Sequence, residues 1–501
     1  MNRFIWAWWI GCWTVLIGIA SLEVAMAQAP LRVATFDIDA TPPIGSALTY
    51  STARSITEPL RCRGLVLLTQ EQPIVLVAVD WIGIGNEGNL VFREKIAAVA
   101  GTTPDRVAVH TLHQHDAPWC DFSSDALARS HGAEGIVFDS VVSRQILDRA
   151  CGAIRDAVTK PTEVTHVGYG SAVVERVASN RRVMGPDGRI AAVRWTATKD
   201  PAVRAAPVGV IDPKVRSVTL WNGNSRIVVL TYYATHPQSY YGKGDINPDF
   251  PGMARNERQD ETGVLHVHFC GAGGNIGAGK YNDGSPEIRP ILAQRLANGM
   301  QRAMASEKRV PILASDVGWV VRPVLLPPTK NLSIPSLEAI LNDASRSASE
   351  KIYAATQLVW LRRCEVRDPI VTSSLRLGPV RILHLPGELF VEYQLAAAEM
   401  SLDQFVAVAA YGDYAPCYIG TDISYSQGGY ETEPRASLVA PESEDVLIEA
   451  IQDLLEIGHT PWKALGVEAA EREIQAAKRE LANSEQEKAE SNLAIPSSTL
   501  K

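Results

Sequence analysis

An excess of basic residues is missing from this sequence of 501 residues. Its 48 lysines and arginines are outnumbered by 56 aspartates and glutamates, which gives a formal net charge of −8. The chain shows no basic stripe that would neutralise a row of phosphates. Nucleic acid is therefore not an expected partner.

Cysteine is scarce, and its seven occurrences form no C-x-x-C pair. Outside the N-terminal leader described next, the remaining six are widely spaced: Cys62, Cys120, Cys151, Cys270, Cys364 and Cys417. In an exported protein some of them can form disulfides, but the spacing leaves the pairing open. The chain also has no internal repeat of fixed period.

The first residues have the order of an export signal. Arg3 precedes the apolar stretch Phe4–Ala20, and Ala25-Met26-Ala27 follows as a small-residue cleavage site. A retained transmembrane helix is the weaker alternative, because small residues stand where a charge cluster is expected. We expect cleavage near Ala27 and a periplasmic or secreted protein.

The chain after the leader predicts a mixed α/β (α+β) domain with mixed sheets flanked by helices. Strand Leu31–Asp39 opens it, and helix Asn89–Ala100 followed by strand Arg106–His110 indicates a βαβ unit. One long helix is predicted over Leu337–Arg362. The expected division is a signal peptide (1–27), one large domain (28–465) and a charged C-terminal helix or tail (466–501).

Three of the ten histidines, His110, His113 and His115, lie within six positions at the end of a valine-rich run. If the strand continued, the H-x-H pair would project both imidazoles from one face, because side chains alternate along a strand. Neutral imidazole is the commonest protein ligand of transition metals. The alternative is a polar strand end whose histidines bond to the backbone.

Four groups suited to binding a metal each follow a predicted strand: His113 with His115, His236, Glu388, and the tyrosines around Tyr418. Ligand sites gather at the carboxyl ends of strands in α/β proteins. Glu388 is expected in a Pro-Gly turn that opens a helix, where the dipole favours the carboxylate. Each group separately has a structural explanation, and their shared placement favours a metal site.

These segments resemble the neutral/alkaline ceramidase family, the zinc-dependent N-acylsphingosine amidohydrolases. The resemblance covers about residues 31–455, in the same order. The segments that carry it are Leu112–Pro118 (LHQHDAP), Ala234–Pro237 (ATHP), Pro386-Gly387-Glu388, Tyr418–Thr421 (YIGT), and the opening Asp39–Pro43 with the strand ending at Asp80.

The resemblance implies zinc held by His113, His236, Glu388 and Tyr418, with the substrate beside His115 and Arg181. It implies hydrolysis of a ceramide-like N-acyl amide by zinc-activated water. We assign His115 as the proton shuttle and Arg181 as the oxyanion or carbonyl partner. The expected substrate is a small or lipid-like amide, with peripheral membrane contact possible and the oligomeric state open.

Two departures from the family bear on the substrate. Lys280 stands where the family has a proposed catalytic serine, which leaves direct attack by water as the expected route. We also expect no counterpart of the family's C-terminal β-sandwich. Another amide or an ester is therefore an alternative substrate, and a non-catalytic binder that retains the metal is an alternative function.

Other segments carry weaker expectations. Gly274–Lys280 is similar to a phosphate-binding loop, but Tyr281 stands where Ser or Thr would hold magnesium. A glycine-rich wall that allows close backbone approach is the favoured interpretation. His266 and His268 share a strand face and can support the metal ligands. Trp119 and Tyr240-Tyr241 are candidate pocket walls or core residues.

Overall fold

The computed structural model describes residues 30–459. The predicted signal peptide and the predicted charged C-terminal helix lie outside the described residues. Within the described range, no helix is both long enough and apolar enough to cross a membrane.

The strands alternate with helices for most of the chain. In chain order the strands are β1 (Leu31–Asp39), β2 (Ser55–Ile56), β3 (Arg61–Leu68), β4 (Ile74–Val79), β5 (Gly83–Ile84), β6 (Val107–Thr111), β7 (Trp119–Cys120), β8 (Thr162–Val164), β9 (His166–Val173), β10 (Ser179–Asn180), β11 (Arg182–Met184), β12 (Ile190–Val193), β13 (Lys214–Asn222), β14 (Ser225–Tyr233), β15 (Asp245–Ile246), β16 (Leu265–Cys270), β17 (Ile276–Gly277), β18 (Lys308–Pro311), β19 (Val317–Val324), β20 (Ile370–Leu377), β21 (Val380–His384), β22 (Glu388–Leu389), β23 (Phe405–Ala409) and β24 (Tyr418–Ile419).

The helices lie between these strands. In chain order they are α1 (Glu87–Ala100), α2 (Phe122–Ser130), α3 (Ser140–Ala157), α4 (Pro201–Ala205), α5 (Asp249–Thr262), α6 (Ile288–Ala305), α7 (Ile334–Asn342), α8 (Ala348–Glu365), α9 (Val391–Met400), α10 (Asp422–Gln427) and α11 (Ser443–Leu454).

Three larger sheets organise the described chain. Their strand orders are β6-β4-β3-β1-β8, β16-β14-β13-β9-β18 and β19-β20-β21-β23. Each combines antiparallel pairs with one parallel pair: β4 with β6, β14 with β16, and β21 with β23. The predicted mixed α/β class is confirmed, as is the βαβ unit in which α1 connects β4 to β6.

The first sheet is buried on both faces, and β4 shows how the sequence specifies this. Ile74, Leu76 and Ala78 lie in a core shared with the other two sheets. The alternate residues of β4 lie in a second core, with side chains of α1 and α3. Because side chains alternate along a strand, an unbroken apolar run is what a strand covered on both faces requires.

One predicted helix is wrong: Leu337–Arg362 is two helices, α7 and α8, separated after Asn342. Ser347 begins α8 with a capping box, since its hydroxyl accepts from Glu350 N–H and the Glu350 carboxylate accepts from Ser347 N–H. This S-x-x-E arrangement marks a helix start. The prediction joined the two segments because of their apolar periodicity, whereas the capping box at Ser347 starts a separate helix.

Candidate metal centre

The four predicted ligands follow the carboxyl ends of four strands, as expected from the sequence. His113 follows β6, His236 follows β14, Glu388 follows β21 and Tyr418 follows β23. Glu388 and Tyr418 are also direct partners in the short parallel pair of β22 and β24. Segments far apart in the chain are thereby brought to one buried place.

The polar atoms of these side chains converge. The carboxylate oxygen Oε2 of Glu388 lies 3.3 Å from His113 Nε2 and 3.0 Å from His236 Nε2. The Tyr418 hydroxyl lies 3.3 Å from His236 Nε2. All four residues are buried, with at most 5% of each exposed.

The hydrogen bonds of the two histidines show which ring nitrogen carries the proton. Nδ1 of His113 faces the Ile82 carbonyl at 2.8 Å, and Nδ1 of His236 faces the Gly273 carbonyl at 2.7 Å. A carbonyl oxygen only accepts, so both Nδ1 atoms must donate. In the neutral rings Nε2 then has a lone pair directed at Glu388.

This arrangement fits a cation. Two nitrogen lone pairs lie within 3.3 Å of one carboxylate oxygen, and all three atoms are acceptors. Burial lowers the pKa of His236, which disfavours a proton between them. Imidazole, carboxylate and phenol oxygen are ligands that zinc accepts, and the carbonyl contacts at Nδ1 are the support that metal-bound histidines usually have. His115 is close enough to be a further candidate, since ring nitrogens of His113, His115 and His236 lie within 4.8 Å of one another.

The charge of Glu388 is consistent with a ligand role. Burial raises the pKa of its carboxyl, but positive charge at His113 and His236 lowers that pKa well below its usual range, and a cation between neutral rings would supply the same charge. The helix-terminus explanation for this charge is wrong, because Glu388 lies in β22 and α9 begins at Val391.

The H-x-H expectation is wrong in its backbone geometry, although both imidazoles lie in the same site. Strand β6 ends at Thr111, and His113 has φ of +65°, in the left-handed region. Non-glycine residues rarely adopt this conformation, and it is concentrated at functional sites. A hydrogen bond from the His113 backbone N–H to the Trp81 carbonyl, 2.8 Å, holds the turn.

His115 and Arg181 both line a cavity whose wall also includes three of the candidate ligands, His113, Glu388 and Tyr418. The Gln238 amide lies 3.1 Å from His115 Nδ1, and His115 Nε2 has no hydrogen-bond partner among the described residues. Burial holds the pKa of His115 well below its usual value, so the ring is neutral. Arg181 donates from Nη1 to the Tyr418 hydroxyl at 2.9 Å.

Several residues at the site were not singled out individually from the sequence. Tyr414 donates a 2.7 Å hydrogen bond to Glu388 Oε1, and the Tyr411 ring stacks on His113 with centroids 4.5 Å apart. Glu431 is fully buried and pairs with Arg181 at 3.5 Å and Arg182 at 3.3 Å. Each is a single residue outside any spaced motif, so only the fold identifies it.

The glycine-rich segment 271–277 lies against the backbone of the ligands. A Cβ on Gly274 would lie 2.2 Å from the Glu388 carbonyl oxygen, and His236 N–H bonds to the Ile276 carbonyl at 3.2 Å. Close approach of backbones is therefore its role. The Lys280 ammonium donates to the carbonyls of Arg204 and Ala206, at 2.5 and 2.6 Å, which opposes the phosphate-binding interpretation.

The remaining sequence expectations are partly met. Trp119 and Tyr241 line the cavity, whereas Tyr240 lies under the Arg289 guanidinium. His268 contacts the Thr231 hydroxyl and His266 the Thr262 hydroxyl, rather than the candidate ligands. The six described cysteines are free thiols.

Comparison with known proteins identifies the fold. A scan against protein-family models and a search of curated proteins each found no match. Among solved structures, neutral ceramidase from Pseudomonas aeruginosa matches with a TM-score of 0.59 and 16% identity, over 88% of this chain and 75% of that chain. A ceramidase complexed with C2 matches with a TM-score of 0.60 and 16% identity, over 88% and 76%. The chain therefore has the fold of the neutral ceramidases, as the resemblance in its histidine, glutamate and tyrosine segments predicted.

Proposed function

We propose that this protein is a zinc-dependent hydrolase of N-acyl amides, with the ion held by His113, His236, Glu388 and Tyr418. The observation that carries the proposal is the convergence of two imidazole lone pairs on one buried carboxylate, an arrangement that a cation stabilises. The ceramidase fold supports amide hydrolysis as the reaction. Export through the leader ending near Ala27 is part of the same proposal.

Zinc bound there would polarise the amide carbonyl and lower the pKa of an adjacent water molecule. The protein's own contribution begins with Arg181, which is buried and charged, since Tyr418 and Glu431 raise its pKa against the effect of burial. Its Nη1 donates to the Tyr418 hydroxyl and fixes that oxygen. The same guanidinium, on the cavity wall, would stabilise the negative charge that develops on the carbonyl oxygen.

His115 is placed to move a proton. The side-chain amide of Gln238 contacts His115 Nδ1, and Nε2 has no partner among the described residues. In this proposal the amide oxygen of Gln238 accepts from Nδ1–H, which leaves a lone pair on Nε2. Nε2 takes a proton from the attacking water and passes it to the departing amine nitrogen, so the ring is neutral again when the step ends. Burial excludes solvent that would compete for the proton.

The test is metal analysis combined with turnover of a panel of N-acyl substrates, ceramides included. We expect about one zinc per chain, chelator-sensitive amide hydrolysis, and loss of both in His113→Ala with an intact fold by circular dichroism. His459→Ala is the matched control, because its ring is exposed and pairs only with Asp453 among the described residues. Turnover without bound metal would overturn the proposal, and zinc without turnover would indicate a binding protein.

A further inference from the structure

The cavity above the candidate ligands is small. Its volume is about 110 Å³. An enclosed apolar cavity of about 150 Å³ holds one benzene molecule. The space beside the ligands therefore accommodates an acyl group of only a few heavy atoms. A long aliphatic chain does not fit inside.

The walls of this cavity are aromatic and polar rather than aliphatic. Six tyrosines and two tryptophans line it, whereas Ile82 and Ala436 are the aliphatic side chains present. Tyrosine and tryptophan combine a flat apolar face with a hydrogen-bonding group. Threonine hydroxyls, the Gln238 amide and two guanidinium groups complete the lining.

Exposed aromatic side chains surround the mouth. In the described part of the chain, Tyr50, Trp195 and Tyr353 are the exposed aromatic residues, each about half exposed at 45%, 51% and 52%, and all three line this cavity. They come from three separate segments. Large aromatic surfaces left in water around one concavity are typical of a binding site.

The exposed rings are continuous with the buried site. Tyr418 contacts Tyr430 with ring centroids 5.6 Å apart, and Tyr430 contacts Trp195 at 5.4 Å. On another side, Tyr50 stacks on His115 with centroids 5.4 Å apart. A flat, ring-shaped group at the mouth would therefore lie between aromatic faces, with its acyl substituent directed inward.

We propose that the substrate is an N-acylated amino sugar with a short acyl group. This inference rests on the proposed amide hydrolysis. The acyl group occupies the small cavity, and the sugar ring stacks its C–H face on Trp195 and Tyr353. The ring hydroxyls are recognised by the tyrosine hydroxyls and by the Arg435 guanidinium, which lies over the Tyr430 ring at 5.2 Å. A ceramide has no ring to stack on these residues and carries a long acyl chain in place of a short one.

The test compares N-acetylglucosamine, N-palmitoylglucosamine, N-acetylcyclohexylamine and a ceramide as substrates of the zinc-loaded protein. We expect N-acetylglucosamine or its short oligomers to be preferred at least about tenfold in kcat/KM over the others. Trp195→Ala should raise KM about tenfold and leave kcat nearly unchanged. Leu402→Ala is the control, because Leu402 is 79% exposed and does not line the cavity.

Binding measured by calorimetry separates this inference from the proposed function. If no amide is cleaved but N-acetylglucosamine binds, and binding is lost in Trp195→Ala, recognition of the sugar by the aromatic residues stands and the proposed hydrolysis is overturned. If amides are cleaved with no preference for the sugar, or ceramide is preferred, the inference is overturned and hydrolysis stands. Binding to phosphatidylcholine vesicles that Trp195→Ala abolishes, without sugar binding, would assign the aromatic residues to a membrane and also overturn it.

Discussion

The Glu388 carboxylate faces two imidazoles with one oxygen and a tyrosine with the other. Oε2 faces His113 and His236, and Oε1 accepts the hydroxyl of Tyr414. The tyrosine therefore fixes the orientation of the carboxylate, as partners of metal ligands commonly do. The contribution of the Tyr414 hydrogen bond can be separated from that of packing, because the hydroxyl of the neighbouring Tyr411 has no hydrogen-bond partner among the described residues.

We predict that Tyr414→Phe lowers zinc affinity by about 10- to 100-fold, since the lost hydrogen bond leaves the carboxylate free to rotate. The measurement is competition with a chelating dye at fixed pH. Tyr411→Phe is the matched control: that hydroxyl is buried without a partner among the described residues, and its ring stacking on His113 is retained. Equal losses in both variants would show that packing, not the hydrogen bond, fixes Glu388.

At the level of single residues, the sequence identified side chains that follow predicted strands and carry ligand chemistry. His113, His236, Glu388 and Tyr418 satisfied that rule, and they converge. Tyr414 was included only as one of the tyrosines around Tyr418, and Glu431 was not predicted, because neither has a spacing that distinguishes it individually. Their partners are 26 residues away or more and become neighbours only in the folded chain.

Among the elements of the fold, the glycine-rich segment connects the second sheet to Glu388. Gly274 N–H donates to the Leu389 carbonyl at 2.8 Å, and its Cα faces the Glu388 carbonyl oxygen without room for a Cβ. A side chain here must displace backbone rather than a flexible group. The position of Glu388 thus depends on this glycine.

We predict that Gly274→Ala destabilises the fold by about 1–3 kcal/mol and weakens metal binding, because β22 must move to admit the methyl group. Chemical denaturation and zinc titration measure the two effects. Gly152→Ala in α3 is the control, since open space surrounds that position and its backbone is helical, and it should be neutral or stabilising by up to about 1 kcal/mol. An unchanged zinc affinity in Gly274→Ala would refute the coupling.

Element predictions held where periodicity was strong and failed where local capping decided the outcome. The buried strands and α1 were predicted within a few residues, since apolar runs and a terminal glycine mark them. The division between α7 and α8 depends on the capping box of Ser347 and Glu350. The backbone turn at His113 depends on its hydrogen bond to the Trp81 carbonyl. Long-range hydrogen bonds of the latter kind have no local sequence signature.

Over the whole molecule, buried neutral histidines couple stability to pH. Burial lowers the pKa of His110 to about 4, and burial lowers the pKa of both His266 and His268 to about 3, from an ordinary value of 6.5. Below that ordinary value the unfolded chain binds protons that the folded chain excludes. The free energy of unfolding therefore falls as pH falls.

We predict that the free energy of unfolding begins to fall near pH 6.5 and continues to fall towards pH 3–4. Each of the three histidines contributes up to about 1.4 kcal/mol per pH unit. Urea denaturation at a series of pH values measures it. In His268→Gln the free energy of unfolding should change less steeply with pH between pH 6 and pH 4.5, and the difference in slope should equal about the contribution of one histidine. A slope that the substitution leaves unchanged would contradict the assignment.

The fold class and the βαβ unit followed from alternating element types, but the pairing of the sheets did not. The order β16-β14-β13-β9-β18 joins strands more than a hundred residues apart, and the shared core among three sheets sets it. Such strand pairings depend on which apolar sheet faces pack together, and many different strand orders are compatible with the same apolar pattern in the sequence. The resemblance to ceramidases supplied what periodicity could not.

The claim on which the rest depends is that one zinc ion binds between His113, His236, Glu388 and Tyr418. The most direct measurement is anomalous X-ray scattering at the zinc edge from crystals of the zinc-loaded protein. We predict one full-occupancy peak about 2.0–2.2 Å from a ligand atom of each of these side chains. A peak elsewhere, or none in protein saturated with zinc, would contradict the account.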